Sequence, residues 1–125
     1  MKFVAIKENH LYAKAYQKGK KFVGQYVIVY TMPDYKAKLL AKANPMHKTL
    51  NRIGITVSKK LGGAVERNRS KRVIREAYRK SSAERKIKQG FLLVFVARTA
   101  CVTAKSDQIA EEFTRAFSSL GLTLC

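Results

Sequence analysis

Residues 67–79 read Arg67-Asn68-Arg69-Ser70-Lys71-Arg72-Val73-Ile74-Arg75-Glu76-Ala77-Tyr78-Arg79, and their spacing predicts a helix with two unlike sides. At about 100° per residue, Arg67, Lys71, Arg75 and Arg79 step along one side, with Asn68 and Arg72 beside them. Ser70, Val73, Ile74 and Ala77 fall on the other side and can dock on a core. A rigid rod with cations at fixed spacing matches the repeat of a polyphosphate backbone. The plainer reading is a solvated charged face, but Glu76 is the one carboxylate in the run. Solubility alone does not account for it.

Outward from this stretch, the whole chain agrees with it. Lys and Arg number 26 against 8 Asp and Glu, a net charge of +18 on 125 residues. Such self-repulsion favours a polyanionic partner, nucleic acid first and an anionic membrane surface second. Apolar residues make up 46%, which excludes a disordered basic tail. The length suits one domain, 1–125, with a modest core. No apolar run approaches the ~20 residues of a membrane span. The start, Met1-Lys2-Phe3-Val4-Ala5-Ile6-Lys7-Glu8, lacks the apolar centre of a secretory signal. Cys101 and Cys125 show neither metal-site spacing nor a disulfide framework. A cytoplasmic location is expected.

The order of elements follows from periodicity and caps. Asn9 and Gly19 bracket a short helix carrying Leu11, Tyr12, Ala15 and Tyr16. A short strand at Phe22-Val23 and an alternating one over residues 26–31 come next, with Gly24 at the bend. A further strand spans residues 52–58. Between these strands runs a long connection, 33–51, with four lysines, read as exposed and mobile. The basic helix is expected from Ala64 to Ser81. Phe91-Leu92-Leu93-Val94-Phe95-Val96-Ala97 reads as a strand buried on both faces. The last helix is expected from Ser106 to Leu120, with Gly121 closing it. The result is an α+β, two-layer α/β sandwich of order α-β-β-β-α-β-α.

Protein-borne catalysis finds little support. His10 and His47 have no partner at ligand spacing, and Asp34 and Asp107 are far apart. Glu111 and Glu112 are adjacent on a helix, which a solvated face explains. No set of converging carboxylates is visible for a hard cation. The sequence therefore predicts no catalytic and no metal-ligating residue.

The run Ser58-Lys59-Lys60-Leu61-Gly62-Gly63-Ala64-Val65-Glu66, continuing into Arg67-Asn68-Arg69-x-Lys71-Arg72-x-x-Arg75-Glu76-Ala77, resembles the signature of the bacterial ribonuclease P protein subunit. The likeness covers almost the whole chain: an aromatic-bearing helix ending in Gly19, a strand ending in Tyr30, and strands like 52–58 and 91–98. It implies a ribonucleoprotein that removes the 5′ leader of precursor tRNA, with one protein per RNA. The RNA subunit would be the catalyst, with Mg²⁺ bound mainly by RNA. It also implies a left-handed β-α-β crossover, an exception to the usual rule. Arg67, Asn68, Arg69, Lys71, Arg72 and Arg75, with Lys59 and Lys60, match the positions that bind the catalytic RNA. Tyr12, Tyr16 and Tyr30, with Phe22, match aromatic positions of a leader-binding cleft. Strand alternation sets Tyr30 on one face with Tyr26 and Ile28. From spacing alone, the tyrosines fit core packing as well as a cleft. The sequence departs from the family in its longer 33–51 connection, in Gly63 where a capping residue is common, and in Thr99 where Pro is common. A general RNA-binding or ribosome-assembly protein is the alternative reading, and a self-sufficient ribonuclease or a membrane-surface helix ranks lower.

Overall fold

The computed structural model describes residues 4–6, 9–33, 51–84 and 91–122. Most of the expected 33–51 connection lies outside them. The described elements run β1 (Val4–Ala5), α1 (Asn9–Lys18), β2 (Lys20–Val23), β3 (Val27–Pro33), β4 (Arg52–Thr56), α2 (Ala64–Glu84), β5 (Phe91–Ala97) and α3 (Ser106–Ser119). Short 3₁₀ turns at Lys59–Leu61 and Thr99–Val102 lead into α2 and α3. The order matches expectation except for β1. That two-residue strand is too short to show alternation, and only its pairing with Arg52 and Ile53 defines it.

The sheet order is β1-β4-β5-β3-β2. The apolar run of β5 sits at its centre, parallel to β4 and antiparallel to β3. Being flanked on both sides explains why its sequence is continuous rather than alternating. β4, α2 and β5 thus form the expected β-α-β unit.

Alternation in β3 divides the interior in two. Val27 and Val29, with Leu93, Phe95 and Ala97, face α2 and α3 and build the larger core. In it Phe95 stacks on Phe113 at 4.7 Å between ring centroids, and Phe113 on Phe117 at 5.7 Å. Met32, Leu92 and Val94 face the other way and meet Ala15 of α1 and Ile6. The sandwich of sheet and helix pair therefore carries α1 as a thin cover on its opposite face. Gly19 ends α1 where a Cβ would lie 2.5 Å from the Ala15 carbonyl oxygen and 2.8 Å from that of Thr31. At the other end of the chain, Gly121 (φ +74°) closes α3. Its N–H donates to Ser118 and that of Leu122 to Phe117, a Schellman cap whose Leu122 is buried in the larger core.

One expectation is corrected here. Glu111 is exposed, but Glu112 is 1% exposed. Its carboxylate accepts from the backbone N–H groups of Gln25, Tyr26 and Val27. Those donors at the β2–β3 turn have no strand partner, so an acidic side chain from α3 satisfies them.

Candidate nucleic-acid interface

On the α1 face the tyrosines converge. Tyr12 and Tyr16 stand one helical turn apart, and Tyr30 comes from β3. The rings of Tyr16 and Tyr30 meet edge to face, centroids 5.0 Å apart and planes at 71°. The Tyr16 hydroxyl lies 3.2 Å from Thr56 Oγ1 of β4. Tyr16 remains 41% exposed, while Tyr12 and Tyr30 are half-buried. Burial, then the neighbouring Tyr16, raises the Tyr12 pKa above its ordinary value, so the phenol stays a neutral donor and acceptor. Because α1 covers only part of this face, aromatic surface remains within reach of a ligand.

Tyr12 can approach the sheet closely because residue 54 is glycine. A Cβ there would sit 2.5 Å from the Tyr12 ring and hydroxyl. Strand periodicity alone singles out neither Gly54 nor Thr56. The signal for Gly54 was present, since an isolated glycine in an alternating strand marks a close approach. Thr56 carried no signal.

Phe22 does not join this group. It pairs with Val29 across β2 and β3 and packs on the larger core, on the opposite side of the sheet. Tyr26 is likewise corrected: it precedes β3, escapes the alternation that sets Tyr30, and packs on the larger core.

Helix α2 presents the cations. Ser70, Ile74, Ala77 and Tyr78 are buried, which turns Arg67, Asn68, Lys71, Arg72 and Arg75 outward, Arg67 and Lys71 half-buried and the others exposed. Arg67 Nε donates to the Gly63 carbonyl at 3.4 Å. Among the described residues, Arg67, Lys71, Arg72 and Arg75 have no carboxylate partner. Arg79, on the same row, is ion-paired with Glu76. Lys59 and Lys60 are exposed on the turn before α2, where Ser58 Oγ accepts from the Lys60 N–H at 3.2 Å. Arg69 is placed otherwise. Its guanidinium turns away from the row and donates to the Val102 and Ala104 carbonyls at 2.6 and 3.0 Å.

The two sets of residues meet. A cavity of about 190 Å³ brings Tyr12 of α1 and Gly54 and Ile55 of β4 together with Lys71 and Arg75 of α2, over a floor that includes the core residues Ile53, Tyr78 and Phe95. It lies along the outer edge of β4, where β1 has stopped after pairing as far as Ile53. A strand flanked by a ring on one side and two cations on the other can hold a base and its phosphate together. The model of the family described as Ribonuclease P matches residues 1–121.

This chain belongs to the ribonuclease P protein family. It is 36% identical over 124 residues to the ribonuclease P protein component of Clostridium acetobutylicum, covering 99% of this chain and 94% of that one. The Clostridioides difficile component is 37% identical over 104 residues, covering 83% and 80%. The solved Staphylococcus aureus RNase P protein superposes with a TM-score of 0.72 at 26% identity, over 97% and 98% of the two chains. As a ribonuclease P protein, the chain is a component of an endoribonuclease. No described helix is long and apolar enough to cross a membrane.

Proposed function

We propose that this protein binds the catalytic RNA of ribonuclease P through α2 and the 5′ leader of precursor tRNA through the tyrosine face. The meeting of cation row and aromatic face at one cavity carries this reading. Arginine and lysine supply phosphate contacts without regard to sequence, and exposed rings stack on any unpaired base. A leader of variable sequence calls for both. Arg67, Asn68, Lys71, Arg72 and Arg75, with Lys59 and Lys60, would serve the RNA subunit; Tyr12, Tyr16 and Tyr30 would serve the leader. The left-handed sense of the β4-α2-β5 crossover belongs to the same proposal.

Three of the described carboxylates are engaged elsewhere. Glu112 binds three backbone N–H groups, Glu76 pairs with Arg79 and Asp107 with Lys80. No three metal-ligating side chains converge among the described residues. On the ground of the family resemblance, we assign the Mg²⁺ to the RNA subunit, and the cleavage chemistry with it. One protein per RNA, acting in the cytoplasm, completes the proposal.

Reconstitution tests it. The purified chain is added to a bacterial ribonuclease P RNA and a 5′-labelled precursor tRNA at low Mg²⁺ and near-physiological salt. The expected result is a cut at the mature 5′ end that neither component makes alone. Tight, salt-sensitive RNA binding without stimulated cleavage would instead leave a general RNA-binding protein.

A further inference from the structure

The signature helix carries one arginine whose charge is used inside the protein. Arg69 spends both terminal nitrogens of its guanidinium on main-chain oxygens, Nη1 on Val102 at 2.6 Å and Nη2 on Ala104 at 3.0 Å. These carbonyls flank the end of the 3₁₀ turn Thr99–Val102, which carries the chain from β5 into α3. The end-on pair of N–H groups that could grip a phosphate bidentately is thereby occupied. Helix geometry agrees, for Arg69 stands about 120° round the axis from Arg75.

Within that turn Cys101 is fully buried. Burial pushes its thiol up to about 11, opposed by the hydroxyl of Ser70 and the charge of Arg69. At the far end of α2, Lys80 makes a second tie, with Nζ donating to Ser106 Oγ at 3.0 Å and to Asp107 Oδ1 at 2.7 Å. Two ties, one to the β5–α3 connection and one to the first turn of α3, about 16 Å apart along the axis of α2, restrain its rotation about its own length.

We propose that Arg69 is a positioning residue of the ribonuclease P protein: it clamps the β5–α3 turn and sets the roll at which α2 shows its outward cations, and it makes no phosphate contact itself. The inference rests on the reading that α2 faces the RNA subunit. It removes one signature arginine from the interface and gives it to the framework.

The test uses the full chain in a Cys125→Ser background, so that Cys101 is the one thiol. Arg69→Ala, Arg69→Lys and Arg72→Ala are compared in two measurements. One is the rate at which an aromatic disulfide reagent labels Cys101. The other is the salt dependence of binding to a bacterial ribonuclease P RNA. Arg69→Ala is expected to label about tenfold faster or more, because two charge-assisted bonds over the thiol are lost. Its RNA affinity at fixed salt falls several-fold, yet the log–log salt slope stays that of the parent. Arg69→Lys, which keeps the charge and one of the two bonds, lies between parent and Arg69→Ala in labelling and affinity. Arg72→Ala keeps Cys101 protected and loses about 0.7–0.9 from the slope. A slope that falls in Arg69→Ala, or labelling unchanged from the parent, would overturn the proposal. An unchanged slope in Arg72→Ala would overturn the RNA-facing reading of α2 beneath it.

Discussion

The two faces of the sheet use aromatic residues in opposite ways. Toward α2 and α3, Phe95, Phe113 and Phe117 stack in a closed core and none is more than 2% exposed. Toward α1, Tyr16 and Tyr30 touch edge to face, and one is 41% exposed. The residue class is nearly the same, but the cover differs. Two long helices seal the first face; a single ten-residue helix crosses the second and leaves rings in reach of solvent. A ring's role here is decided by how much helix lies over it.

The largest effect that separates the faces is expected from Phe113→Ala. Removing a ring stacked between two others should cost about 3–5 kcal/mol, read as a lowered denaturant midpoint; a loss below 1 kcal/mol would mean the core is not closed as described. Next comes Glu112→Ala, which strands three backbone donors and should cost about 3 kcal/mol. Glu111→Ala, one residue away and exposed, should stay within about 0.5 kcal/mol. Equal effects in the two variants would contradict the turn anchored by Glu112. Third, Tyr30→Ala should weaken leader-bearing precursor by about 1–3 kcal/mol and leave mature tRNA unaffected. Phe22→Ala should lower stability and leave that preference intact. If Phe22→Ala alone shifts leader preference, the assignment of the two faces is reversed. Last in its effect on leader binding is Gly54→Ala, whose Cβ displaces the Tyr12 ring. It should cost about 1–3 kcal/mol of stability through overpacking and reduce leader affinity less than Tyr30→Ala.

Much of this is legible in the amino-acid sequence. The apolar run Phe91–Ala97 marks the bounds of β5 to the residue, because a strand flanked on both sides is apolar throughout. The glycines at 19 and 121 marked real helix ends because each ends its helix as a backbone cap. Legibility failed where a side chain's partner is remote in sequence. Glu112 and its turn are 85–87 residues apart, and adjacency to Glu111 suggested only a solvated face. Arg69 lay in a motif whose other arginines face outward, and its acceptors are bare carbonyls, which have no sequence signature. Tyr26 departs from the face of Tyr30 because period-two counting does not hold before the strand begins at Val27, whereas Phe22 enters the leader set only through the family resemblance.

β5 lies between β3 and β4 and hydrogen-bonds to both, although both precede it in the chain. During synthesis the tyrosines of α1 and β3 and the cations of α2 leave the ribosome before the strand that unites them. Until residues 91–97 emerge, β3 and β4 have no common neighbour, and the cavity between ring and cations does not exist. The order of strands thus acts as a clock. A nascent chain can display charge early, but the composite surface appears only when the central strand has been inserted.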